Sequence, residues 1–172
     1  MYEYIKGKLI EVDTQKVIID VNGVGYKVIV PASLYSDLLN KEDISLYTSY
    51  IVKEDSQTLY GFLNKLQRAI FELLISVSGV GAKTAILLLG HLDIDNLYSA
   101  IANSDIRLIS KVPGIGKKTA ERLIVELKDK FKLLDKKFAD SNLTDKNSTV
   151  ASDAIAALMN LGYNASQAQR AV

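Results

Sequence analysis

The chain has 172 residues, 48% of them hydrophobic and 24% charged, with no cysteine and a formal net charge of +1. That length allows one medium domain or two to three small ones, and the missing cysteine excludes disulfides, thiolate metal sites and a cysteine nucleophile. No apolar run approaches the ~20 residues that span a bilayer, and residues 1–6 lack the layout of a signal peptide, so a cytoplasmic protein with no membrane partner is expected.

Residues 1–63 read as strands and carry six lysines, no arginine and nine acids, a net charge of −3. Residues 2–12 form a long strand interrupted by Gly7, where a bend or bulge is expected. Residues 17–21 are a short β-branched run, Asn22-Gly23 is a strong hairpin signal, and residues 25–30 are the partner strand. Pro31 suits the first turn of a short helix reaching Leu39. Residues 44–52 and 57–63 are further strands, joined through Lys53-Glu54-Asp55-Ser56. Five strands with a helix between the third and fourth predict a small closed barrel of the oligonucleotide-binding type. By itself the acidic tip, Glu54 and Asp55, reads as a solvated turn.

From about Leu63 the hydrophobic period becomes helical, with Leu63, Leu66, Ile70, Leu73, Leu74 and Val77 on one face. Residues 83–89 make a second helix. Asp93 or Asp95 caps a third running to about Ala102, Ser104 caps a short fourth over 105–111, and residues 117–131 form a long fifth. Tyr60, Phe62 and Phe71 are expected in the core or between domains, not as platforms for bases. Residues 64–138 hold thirteen basic and eight acidic residues, a net charge of +5, and are where a polyanion should bind. Residues 135–150 are polar and read as a flexible linker. Residues 151–172 return to two short helices joined at Leu161-Gly162-Tyr163.

One pattern occurs twice, 35 residues apart: Val77-Ser78-Gly79-Val80-Gly81-Ala82-Lys83-Thr84-Ala85 and Val112-Pro113-Gly114-Ile115-Gly116-Lys117-Lys118-Thr119-Ala120. Each copy ends one helix and opens another. Glycine permits positive φ and keeps side chains off the face a ligand approaches. The apolar residue between the glycines, Val80 or Ile115, pins the turn to the core. Free amides at a helix N-terminus, with the helix dipole behind them, attract an anion. The expected phosphate-binding set is Gly79, Gly81, Ala82, Lys83 and Thr84 in the first copy, and Gly114, Gly116, Lys117, Lys118 and Thr119 in the second. A nucleotide-binding loop, G-x-x-x-x-G-K-[ST], is excluded: Ala82 stands where its second glycine belongs, and Lys118 where its Ser or Thr belongs. Two such clamps grip consecutive phosphates without reading bases. Arg122, on the helix leaving the second copy, reads either as another phosphate contact or as a solvated surface residue, and Lys65 and Arg68 share that ambiguity. His91, the only histidine, ends a helix and reads as capping or exposed; no catalytic residues, metal ligands or cofactor are assigned.

These paired motifs are helix-hairpin-helix motifs. With Met-Tyr-Glu-Tyr-Ile-Lys-Gly-Lys-Leu at the N-terminus, Asn-Gly-Val-Gly-Tyr-Lys-Val at 22–28 and Lys-Glu-Asp-Ser-Gln-Thr-Leu-Tyr-Gly-Phe at 53–62, the chain resembles the RuvA family from end to end. The resemblance implies a multidomain α+β protein: a five-stranded barrel (1–63) carrying the acidic pin Glu54 and Asp55, a tandem helix-hairpin-helix domain (64–134), a linker (135–150) and a small UBA-like helical module (151–172). It implies a non-catalytic homotetramer, with one tetramer or two facing ones holding an open, square Holliday junction. It also implies a RuvB ATPase docked on the C-terminal module, for which Leu158, Met159 and Leu161 are candidates, and a RuvC resolvase on the exposed junction face. The family's module has three helices, of which residues 151–172 supply two. The alternatives are a glycosylase or nuclease that uses the hairpins for grip, and a single-strand binder using the barrel face; the barrel's negative charge opposes the second.

Overall fold

The computed structural model describes residues 2–142 together with Leu158 and Gln167, and for 135–142 it describes the helical backbone. The chain divides into two compact units, Met1–Lys130 and Phe131–Val172. The first unit begins with five strands: β1 (Tyr4–Val12), β2 (Lys16–Val21), β3 (Val24–Ile29), β4 (Asp43–Val52) and β5 (Gln57–Phe62). They close in the order β1-β2-β3-β5-β4. All pairings are antiparallel except β3 with β5, which closes the barrel in parallel. A 3-10 turn (Ala32–Leu34) and the one-turn helix α1 (Tyr35–Leu38) join β3 to β4 and plug the barrel with Leu34 and Leu38. Their neighbours Val17, Ile19, Val28, Ile44 and Leu46 alternate along the strands, as a half-buried strand requires.

The Asn22-Gly23 signal is realised as a two-residue turn with φ of 52° and 86°, the left-handed pair of a type I′ hairpin. The irregularity expected at Gly7 lies further along, where the β1–β2 register shifts between Leu9 and Glu11. Gly7 serves another end: a Cβ there would stand 2.1 Å from the Asp20 carbonyl oxygen, so β2 can approach only a glycine.

Helices follow: α2 (Lys65–Ile75), α3 (Ala82–His91), α4 (Ile94–Ala102), α5 (Ile106–Ser110) and α6 (Lys117–Asn142). Asn64 caps α2 by accepting from the Gln67 N–H at 2.8 Å, while the Gln67 side chain accepts from the Leu63 N–H, a close relative of the capping box. Asp93, rather than Asp95, caps α4. Asp105, not Ser104, caps α5; Ser104 instead adopts φ of 55° as the chain turns, and its neighbour's carboxylate is the stronger acceptor. The helix expected to end at Phe131 runs on to Asn142. Residues 132–142 contain neither glycine nor proline, so nothing there breaks the helix. Of the expected linker, 135–142 are therefore helical, and 143–150 lie outside the described residues.

Barrel and helices are tightly joined. Phe71 of α2 meets both Tyr60 and Phe62 of β5 with ring centroids 5.0 Å apart, which makes these three aromatics packing residues. Burial raises the Tyr60 phenol pKa. Ser33 donates to the Leu89 carbonyl at 2.9 Å, and Gly90 lets α3 lie against the Ala32 backbone, 3.1 Å from where its Cβ would be. Arg68 is neither a free phosphate ligand nor a solvated residue. Its guanidinium pairs with the Glu3 carboxylate at 2.8 Å, donates to the Glu3 carbonyl at 3.2 Å and lies over the Tyr47 ring. Lys65 also stands over Tyr47, 5.8 Å from its centroid.

The hydrogen bond from Arg68, outweighing desolvation, with the guanidinium charge adding to it, holds the Glu3 carboxyl below its ordinary value of 4.5. A depressed carboxylate pKa stabilises the fold above the ordinary value, and that stability is lost as pH falls through the folded pKa. The expected result for Glu3→Gln is a lower Tm at neutral pH and a gap from the parent that narrows as pH falls below the ordinary value of 4.5; thermal melts from neutral to acid pH check it, and a gap independent of pH would refute the assignment.

Candidate nucleic-acid interface

Both repeated segments fold alike. In the first, the Val80 N–H donates to the Val77 carbonyl at 3.0 Å; in the second, Ile115 donates to Val112 at 3.1 Å. The third residue of each turn, Gly79 or Gly114, has φ of 90° or 87°. This is the type II pattern, which demands glycine there and favours proline just before it, as at Pro113. Val77, Val80, Val112 and Ile115 are all 5% exposed or less, so each turn is anchored by the apolar residues on both sides of its glycine. Gly79, Gly81, Lys83, Gly114, Gly116, Lys117 and Lys118 are exposed, and Ala82, Thr84 and Thr119 are half-buried.

The capping pattern separates these two helices from their neighbours. At α2, α4 and α5 an Asn or Asp side chain accepts the N–H three residues on. At α3 the cap is Gly81, with no side-chain bond, and α6 follows Gly116, which has no side chain to offer. The first amides of a helix have no partner within it. The Ala85 N–H returns to Gly81 at 2.9 Å and the Ala120 N–H to Gly116 at 2.9 Å, which leaves the amides of 82–84 and 117–119 without a partner inside their helix. Lys83 and Lys118 occupy matching positions, and Lys117 adds a further cation. The arrangement suits an anion with several acceptor oxygens.

The two turns are also neighbours. A Cβ on Gly114 would lie 3.6 Å from the Thr84 Oγ1, and Arg122 of α6 donates to the Ser78 carbonyl at 3.2 Å. Arg122 thus ties the second helix to the first turn while its residue stays exposed. This link joins positions 44 apart in sequence, and no local pattern signals it. Glu54 and Asp55 sit at the exposed tip of the β4–β5 hairpin, closed by the Lys53 N–H to the Ser56 carbonyl at 2.8 Å. His91 is exposed and engages the Leu87 carbonyl through Nδ1 at 2.8 Å, which fits the capping role. Among the described residues no three His, Asp or Glu side chains gather as metal ligands, and no single helix is long and apolar enough to cross a membrane. Leu158 is helical and half-buried; Met159 and Leu161 lie outside the described residues.

Fold and site define a nucleic-acid-binding protein of the tandem helix-hairpin-helix class, mounted on an oligonucleotide-binding-type barrel. Comparison with known families agrees. Residues 1–61 match the RuvA N terminal domain, residues 71–129 a SAM-like helix-hairpin-helix tandem, and residues 149–172 the RuvA C-terminal domain. Curated relatives named Holliday junction branch migration complex subunit RuvA include one from Protochlamydia amoebophila, 46% identical over 177 residues, covering 100% of this chain and 88% of the relative. Others come from Francisella tularensis subsp. tularensis, 40% identical with 99% and 87% covered, and from Shewanella denitrificans, 41% identical with 98% and 87% covered. The chain belongs to the RuvA family.

Proposed function

We propose that this chain binds four-way Holliday junction DNA by its shape, blind to sequence, and holds it open for ATP-driven branch migration. The observation that carries the reading is the repeated glycine-capped helix start with its lysines, which supplies two adjacent anion cradles on a segment of net charge +5. Gly79, Gly81, Ala82, Lys83 and Thr84 serve one phosphate run, and Gly114, Gly116, Lys117, Lys118 and Thr119 the next. Arg122, which donates to the Ser78 carbonyl, has further guanidinium N–H groups for a neighbouring phosphate. Four copies match the four arms, so the working form is a homotetramer, with a second tetramer able to cover the opposite face. The chain itself is a non-catalytic holder. ATP hydrolysis belongs to a RuvB partner docked on the C-terminal module through Leu158, Met159 and Leu161, and junction resolution to RuvC. The domain limits that serve this division of labour are 1–63, 64–134 and 151–172.

Gel shifts of the purified chain on four-way, duplex and single-stranded DNA at rising salt test the reading. Preference for the four-way substrate supports it; cleavage or base release supports an enzyme, and preference for single strands supports a barrel-face binder.

Glu54 and Asp55 add negative charge where strands cross. A carboxylate about 6 Å from a phosphate costs roughly 0.7 kcal/mol in water and about 3 kcal/mol at an effective dielectric of 20, against about 1.4 kcal/mol to open one base-pair step. Several carboxylates therefore bias strand separation and repel unbranched DNA. Glu54→Gln/Asp55→Asn is expected to bind plain duplex more tightly than the parent; unchanged duplex affinity would remove this role.

A further inference from the structure

We propose that Tyr50 is the positioning residue of the acidic tip, bracing the β4–β5 hairpin so that Glu54 and Asp55 are presented at one fixed place. The proposal rests on the repulsive reading of those carboxylates. The tip has little else to hold it. Residues 52–57 are all exposed, the Lys53–Ser56 backbone bond closes the turn, and the Ser56 hydroxyl donates only to its neighbour Asp55.

The brace sits just below. The Tyr50 hydroxyl donates to the Gln57 side-chain oxygen across the two strands, diagonal to the Val52–Gln57 pair. Its ring meets Tyr2 edge-on, with centroids 5.3 Å apart and planes at 90°, a favoured aromatic geometry. Tyr2 is itself anchored, since the Thr48 hydroxyl donates to its carbonyl at 2.9 Å. The Thr48 N–H donates to the next carbonyl, that of Glu3, at 3.0 Å, and Glu3 holds Arg68 on α2. A continuous line of contacts therefore runs from α2, the helix that leads into the first glycine turn, through residues 2–3, to the base of the tip. Repulsion between charges falls with distance, so a tip that swings from about 6 to 9 Å off a phosphate loses a third of its effect. A fixed tip keeps it.

The absence of cysteine allows a single nitroxide at Ser56→Cys, read by electron paramagnetic resonance in the full chain. Tyr50→Phe keeps the ring and loses the bond; Gln57→Leu loses the same bond at an exposed position; Tyr50→Leu loses both contacts. Label mobility is expected to rise in Tyr50→Phe and Gln57→Leu and further in Tyr50→Leu. Duplex affinity should rise by about twofold in Gln57→Leu, the effect of losing a third of the repulsion of two carboxylates in water, at an unchanged salt slope. A label as immobile in Tyr50→Leu and Gln57→Leu as in the parent overturns the proposal, whatever the DNA binding. A freed label with unchanged duplex affinity also overturns it, provided Glu54→Gln/Asp55→Asn raises that affinity. If neither set changes duplex binding, the repulsive reading itself has failed.

Discussion

Replacing Lys83, Lys117 and Lys118 together with glutamate is expected to lower four-way junction affinity by about a thousandfold or more. A hydrogen bond to a charged group contributes about 1.5–3 kcal/mol, and each 1.4 kcal/mol is tenfold in affinity. Loss of three such contacts would exceed a thousandfold if they were independent, and reversal adds repulsion. The alanine versions give a cleaner diagnosis. Each neutralised phosphate contributes about 0.9 to the slope of log affinity against log salt, so the triple alanine variant should flatten that slope by about 2.7 for each protomer bound. All three lysines are exposed and make no ion pair among the described residues, so the melting temperature should stay close to that of the parent. Fluorescence anisotropy across a salt series checks both quantities, and an unchanged affinity would remove the cradles from the interface.

A second large effect is expected from Gly81→Ser/Gly116→Ser, with stability and binding moving in opposite directions. Gly81 has φ of −87° and ψ of 167°, ordinary extended backbone, and neither glycine has a neighbour within 4 Å of a would-be Cβ. Nothing in the fold demands glycine at either place. Serine is a better N-cap than glycine by a few tenths of a kcal/mol per site, because its oxygen accepts from the amides two or three residues on. Those are the amides proposed to face the phosphate. The double variant should therefore melt at the same temperature or slightly above it, yet bind junctions at least about tenfold more weakly, the loss of one or two charge-assisted bonds. Gly79→Ala provides the contrast, since φ of 90° costs a residue with a Cβ roughly 1–2 kcal/mol and should show first as a lower melting temperature. Calorimetry and anisotropy on the three proteins separate strain from blocked access; equal binding by the serine double variant would mean that the amides are not used.

Much of this was legible in the sequence. The strand alternation, the Asn22-Gly23 turn and the glycine spacing in both hairpins are local signals, and local signals specify turns and periods well. The type II turns could be anticipated because only glycine takes their third position cheaply. What sequence did not disclose is tertiary. Arg68 read as a candidate phosphate ligand because a lysine or arginine on a basic helix looks the same whether it faces solvent or Glu3, 65 residues earlier. Arg122 and Ser78 meet only after the two helix pairs fold together. The end of α6 is not legible because polar composition marks both linkers and solvated helices, and residues 132–142 hold no glycine or proline to separate the two. The cap of α5 is ambiguous in sequence by one residue, since Ser104 and Asp105 are adjacent competitors for the same task. At the tip, acidity is visible in sequence, but the Tyr2–Tyr50–Gln57 support is not.

The near-identity of the two turns has a further consequence. Once bases are ignored, a double helix presents the same pair of opposed backbones from either end. A grip built from two like halves, touching only those backbones, carries no arrow. On the proposed reading such a grip resists an arm being fed in as little as one being drawn out, and so behaves as a bearing, not a ratchet. Any sense of travel has to be imposed from outside the chain, and the same mount can serve a machine running either way.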